Sequence, residues 1–192
     1  MKNILKSLVA IVAIAFTTLS FTAVGPEKKE IKTSVSKVVW KAYKVTGSHT
    51  GNIDIKSGNL IFNESVLTGG EFVMDMTTIT TTDLSGGAKS KLENHLKSDD
   101  FFGAEKHAEA KLVFTNVKST GKNSYEVEGN ITIKGITDKV TLDVSVYGSK
   151  ANAALKVDRT KFDVKYGSGS YFDNLKNKTI YDDFDIVADL EF

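Results

Sequence analysis

The chain has no cysteine, one proline and a single arginine among its 192 residues. Without cysteine there is no disulfide framework, no thiolate zinc site, no thiol nucleophile and no lipid attached through an N-terminal cysteine. The lone proline, Pro26, leaves every later segment free of the residue that cannot donate to a β ladder. Arg159 is the only guanidinium, and 25 basic residues stand against 24 acidic ones. A net charge of +1 supplies no field for nucleic acid, so that class of partner is excluded. With 41% hydrophobic and 26% charged residues, the composition is that of one globular domain rather than a disordered or multi-span membrane chain.

Long apolar runs are also scarce, and the one present is short. Lys2 and Lys6 precede nine consecutive apolar residues, Leu8 to Phe16, followed by Thr17-Thr18-Leu19-Ser20. As a helix that run covers roughly 14 Å, about half a bilayer core, and with its basic flank it reads as a secretory signal. Residues 1–22 are therefore expected to be a signal peptide cleaved near Thr22, residues 23–34 a solvated leader, and residues 35–192 the folded domain. Removal of Lys2 and Lys6 leaves 23 bases against 24 acids, so the exported domain, periplasmic or secreted, has almost no net charge to select a partner.

What the domain does have is alternation. Phe184, Ile186, Ala188, Leu190 and Phe192 alternate with mostly acidic neighbours, which predicts a half-buried strand. Tyr125 to Ile133 and Val140 to Tyr147 show the same period of two. Phe72, Met74 and Met76 form another apolar face, with Val73, Asp75, Thr77 and Ile79 opposite. Shorter strands are expected at Val38–Val45, Asn52–Ile55, Leu60–Phe62, Leu112–Val117, Ala153–Val157 and Phe162–Tyr166. Turns are expected at Lys56–Asn59, Ser119–Asn123, Lys134–Asp138 and Gly148–Ser149. Only Ala88 to Lys97 has helical spacing, with Ala88, Leu92, His95 and Leu96 on one face. Eight to ten short-linked strands predict an all-β antiparallel barrel, whose closure removes exposed edges. A sandwich is the structural alternative.

Catalytic patterns are missing. His49, His95 and His107 are the only histidines, and their spacing matches no metal-ligand motif. No nucleophile elbow and no phosphate-binding loop occurs. No catalytic residue and no metal site is assigned, and the protein is not expected to be an enzyme. Aromatic residues are the remaining resource: Trp40, 11 phenylalanines and 6 tyrosines. An eight-stranded barrel is either filled by such side chains or left just wide enough for one elongated ligand, and periodicity leaves both open.

Five segments carry a resemblance. Val38-Val39-Trp40 with His49-Thr50-Gly51, Gly70 to Met76, Lys91 to Phe102, Gly129 to Thr137 and Val157 to Gly167 together resemble, in order, the YceI-like family of exported, lipocalin-like lipid-binding proteins. The chain departs from that pattern at Gly103-Ala104, where the family tends to carry an acidic or polar residue. The resemblance implies an extended eight-stranded antiparallel barrel with one short helix near an end. It also implies an apolar interior holding a polyisoprenoid, quinone-like or fatty-chain lipid, with no other cofactor. Trp40, Phe72, Met74, Phe101, Phe102, Ile131, Ile133, Phe162, Phe184 and Ile186 are the candidate lining residues. His49, Asp158 and Arg159 are candidates for a polar mouth, Asp158 and Arg159 being read first as a structural ion pair closing one barrel end. The expected partners are a long-chain lipid and, transiently, a membrane. The competing readings are a structural or stress-response barrel with a packed interior, or an enzyme using His49 or His95 in the cavity.

Overall fold

The computed structural model describes residues 25–192; the expected signal peptide and its cleavage site lie outside the described residues. The elements run β1 (Glu27–Glu30), β2 (Lys37–Lys44), β3 (Gly47–Asn63), β4 (Val66–Thr81), α1 (Gly86–Lys97), β5 (Glu109–Gly121), β6 (Ser124–Ile133), β7 (Ile136–Tyr147), β8 (Lys150–Asp158) and β9 (Ile180–Glu191). The sheet order is β1-β3-β2-β9-β8-β7-β6-β5-β4, and β4 also pairs with β3. That last pairing closes β2 to β9 into an antiparallel barrel of eight strands. Strand β1 uses the same edge of β3 as β2 does, beyond the last β2 pair at Ile53, with Glu27 opposite Phe62 and Glu30 opposite Asn59. The expected leader is thus partly a paired strand, and Ile31 behind it is buried.

Period-two alternation does most of the folding work. Along β6 the inward Tyr125, Val127, Ile131 and Ile133 are buried, and their outward neighbours face water or the sheet margin. The β6–β7 reversal is a two-residue turn in which Lys134 (φ 53°) and Gly135 (φ 77°) are both left-handed, the twist that suits a tight hairpin.

Three local expectations fail for identifiable reasons. Lys56–Asn59 is not a turn but the middle of β3, at a bulge between Ile55 and Ser57. Gly58 is needed there for close approach, because an added Cβ would sit 2.6 Å from the Phe72 ring. Ile79, assigned to the outer face, is buried inside. The β3–β4 register jumps from Asn52↔Thr80 to Asp54↔Asp75, so β4 carries extra residues that reverse its alternation. The Asp75 carboxylate accepts bonds from the Thr77 amide at 3.0 Å and the Thr77 hydroxyl at 2.6 Å, holding this irregularity. Phe162–Tyr166 is not a strand: Arg159–Phe162 forms a 3-10 turn, ended by Asp163 at φ 59°.

The two ends of the barrel differ. At one end Leu67 and Val127 are fully buried, and the Leu67 amide donates to the Tyr125 hydroxyl at 3.4 Å; this end is packed shut. At the other, α1, the Phe101-Phe102 pair and the segment after β8 lean over the opening. No helix among the described residues is long and apolar enough to cross a membrane.

Candidate functional site

The barrel interior holds a cavity of about 210 Å³. Its wall is almost entirely hydrocarbon, because each strand turns its apolar face inward. The candidate lining residues Trp40, Phe72, Met74, Phe101, Phe102, Ile131, Ile133, Phe184 and Ile186 all border it. Phe162 does not. It sits in the 3-10 turn after β8, 1% exposed, and is packing rather than wall.

The wall aromatics are fixed by their neighbours. Trp40 Nε1 donates to the Thr80 carbonyl at 3.1 Å, which satisfies its one polar atom and lays the indole beside Gly51. Phe101 and Phe102 meet edge-to-face at 5.2 Å, and Phe102 meets Phe184 at 6.3 Å. These rings tie the segment after α1 to β9 at the open end.

The polar candidates have separate roles. Arg159 is 3% exposed, and four of its five N–H donors are hydrogen-bonded to backbone carbonyls. Nε donates to the Tyr181 carbonyl at 3.1 Å, and Nη1 donates to Val164 at 2.7 Å and Tyr166 at 2.9 Å. Nη2 donates to the Ile180 carbonyl at 3.0 Å and lies 3.5 Å from Asp182. The guanidinium therefore stitches the segment after β8 to the start of β9. Asp158 is not its hydrogen-bonded partner: that carboxylate accepts from the Thr160 amide and hydroxyl, at 2.9 Å and 2.6 Å, and caps the turn. Asp158 does not border the cavity, and the expected Asp158–Arg159 pairing is replaced by Asp182.

His49 does border the cavity, with Nδ1 2.8 Å from Asp83. Burial pushes the Asp83 carboxyl up, but bonds from Thr81, His49 and the Thr50 amide outweigh it and hold the group down to about 2. A parallel arrangement anchors α1. Glu93 accepts from the Thr80 hydroxyl and, at 2.8 Å, from the Thr81 amide, and pairs with Lys89 at 3.2 Å. The Thr80 bond is the largest cause that lowers its carboxyl to about 2. These contacts clamp the helix to the end of β4, so that Leu92, His95 and Leu96 cover the cavity. The His95 ring packs 4.4 Å from Tyr166 and 5.4 Å from Phe101. Among the described residues no group of three or more His, Cys, Asp or Glu side chains is placed to hold a metal ion.

Several wall residues were absent from the candidate set. Leu142 and Val144 of β7 lay on a recognised alternating face and follow from extending it inward. Ile79 could not be reached that way, since only the bulge turns it in. Ile180, Tyr181 and Lys44 join the wall where β9 begins and β2 ends, Lys44 lying opposite Ile180 in register.

A closed antiparallel barrel with a helical cover and a hydrocarbon-walled interior is a lipocalin-like fold. The chain matches the YceI-like domain family over residues 25–192 and belongs to that family. A UPF0312 protein of Serratia proteamaculans strain 568 is 43% identical over 56 residues, and one of Pseudomonas putida strain W619 is 41% identical over 56 residues. Each match covers 29% of this chain and 29% of the relative. The fold is shared with Burkholderia cenocepacia BcnA, at TM-score 0.63 and 20% identity over 83% of this chain and 98% of that one. A polyisoprenoid binding domain from Saccharophagus degradans aligns at TM-score 0.58 and 12% identity, over 84% of this chain and 97% of that domain.

Proposed function

We propose that the protein is an exported carrier that holds a polyisoprenoid or similar long-chain lipid in the barrel interior, and that it is not an enzyme. The observation that carries this reading is the almost entirely hydrocarbon wall, which reaches from Ile180 to Leu190 along β9. Ten residue steps of strand span roughly 33 Å, and a strand tilt of about 40° shortens this to about 25 Å along the barrel axis. One leaflet of a bilayer is only about 15 Å of hydrocarbon, so a chain longer than an ordinary acyl tail makes fuller use of the wall. Burial contributes about 0.8 kcal/mol per CH₂. Five carbons of one isoprene unit thus supply roughly 4 kcal/mol, and two or three units offset the cost of immobilising the chain. The polar side chains Lys44, His49, His95 and Arg159 border the cavity at its helix-covered end, and the buried His95 Nε2 there has no hydrogen-bond partner, which supports tail-first loading with the head at the mouth.

A titration of the purified protein with polyprenols of increasing length, read by Trp40 fluorescence, tests this reading. Affinity should rise with each added isoprene unit until the wall is filled and then level off. Affinity independent of chain length, or no binding at any length, would contradict it. The membership in the YceI-like family and the polyisoprenoid-binding neighbour support the ligand class, and the signal-like N-terminus supports export.

A further inference from the structure

The surface around the cavity mouth is unlike the rest of the molecule. Val45, Tyr166, Tyr171, Phe172 and Tyr181 are each about half exposed, and Tyr147 is the one exposed aromatic that lies elsewhere among the described residues. Backbone bonds hold this set together. The Val45 amide donates to Thr179 at 3.1 Å, and Ser168 bridges Ile180 while its carbonyl accepts from the Tyr171 and Phe172 amides. Tyr181 itself borders the cavity. Tyr147 ends β7 at the opposite, packed end of the barrel, near Ser124 and Asn123.

Charge at this rim is mixed in sign, with its unpaired lysines beside the exposed rings. Asp163 is paired with Lys165 at 2.8 Å, and Asp182 takes the Ser170 hydroxyl at 2.6 Å beside Arg159. Lys44, Lys176 and Lys178 carry no ion pair among the described residues and gather about the Val45–Thr179 bond, whereas the acids without one are Asp173 of the loop and, opposite each other where β8 meets β9, Asp158 and Asp183. Half-exposed tyrosines beside unpaired lysines have the chemistry of the bilayer interface, where amphipathic rings sit at head-group depth and lysines meet anionic lipid. The patch is also continuous with the mouth through which a tail-first ligand passes.

We propose that this rim docks on the surface of an anionic lipid bilayer and sets the cavity mouth against the head groups. The inference rests on the reading as a lipid carrier but is tested without the cargo. Because the chain has no cysteine, Phe172→Cys and Tyr147→Cys each give one labelling site for an environment-sensitive fluorophore. Vesicles of phosphatidylglycerol and phosphatidylethanolamine should shift the label at position 172 to the blue and leave the label at 147 unchanged. Each lysine near an anionic surface strengthens binding about fivefold. Adding Lys176→Glu and Lys178→Glu should therefore raise the lipid needed for the half-maximal shift at least twentyfold. Neither lysine borders the cavity, so polyprenol binding in vesicle-free solution should be unchanged by the pair.

A label at 172 that stays wet, equal shifts at 172 and 147, or equal binding to wholly zwitterionic vesicles would overturn the docking assignment. A shift at 172 that depends on protein concentration and needs no vesicle would overturn it in favour of a second copy of the chain. Loss of polyprenol binding with intact vesicle docking would count against the carrier reading alone.

Discussion

Ala188 is the position at which a tunnel and a packed core give opposite results. It lies on β9 between Ile186 and Leu190, faces the cavity, and is flanked in register by Val38 of β2 and Ala153 of β8. Two small residues side by side leave the wall thin at this level. In a filled core, Ala188→Trp forces neighbours off their rotamers and costs about 1–3 kcal/mol or more. In a tunnel the indole enters ligand volume and buries its own apolar surface, so the lipid-free protein should lose less than about 1 kcal/mol. Binding should change instead. The substitution blocks the inner end of the tunnel, where the last isoprene unit of a long chain would lie. Losing five buried carbons removes up to roughly 4 kcal/mol, close to a thousandfold in affinity. Shorter chains seated nearer the mouth should be spared. Urea denaturation of lipid-free wild type and variant measures stability, and polyprenol titrations at two chain lengths measure binding. A destabilised variant that binds long chains normally would refute a tunnel at this level.

Arg159→Leu removes every donor to the Val164, Tyr166, Ile180 and Tyr181 carbonyls and leaves Asp182 without its cation. Unfolding by urea should show a loss of about 3–5 kcal/mol, and a loss under about 1 kcal/mol would mean the stitch is dispensable. Glu93, at about 2 in the fold against an ordinary 4.5, binds its proton more weakly folded than unfolded. Its contribution is present above the unfolded value and is lost as pH falls from about 4.5 toward 2. Glu93→Gln should flatten that part of the stability profile, and an unchanged acid limb in the variant would contradict the assignment.

How much of this was legible in the sequence depends on whether a segment's inward and outward faces are decided locally. β6, β7 and β9 read correctly because strict alternation over eight or more residues has one solution on a half-buried sheet. Gly58 misled because glycine marks both turns and close approaches, and the second use is visible only with Phe72 of β4 in place. Ile79 misled because a bulge reverses parity without a local signature. Phe162–Tyr166 alternates like a strand, yet the buried Arg159 claims the Val164 and Tyr166 carbonyls that one ladder edge would use. Most of the cavity wall was still recoverable, since lining an interior and packing it draw on the same apolar faces. For that same reason the sequence pattern could not choose between an empty and a filled barrel. That difference lies in how far opposite walls stand apart.

Whether the interior carries a long-chain lipid is tested most directly by native mass spectrometry of the protein purified from its own source, with organic extraction of the same sample. The account predicts a stoichiometric adduct whose mass is recovered in the extract as a polyisoprenoid or similar long-chain lipid. A clean ligand-free mass, with nothing extracted under conditions that preserve an added polyprenol complex, would contradict it.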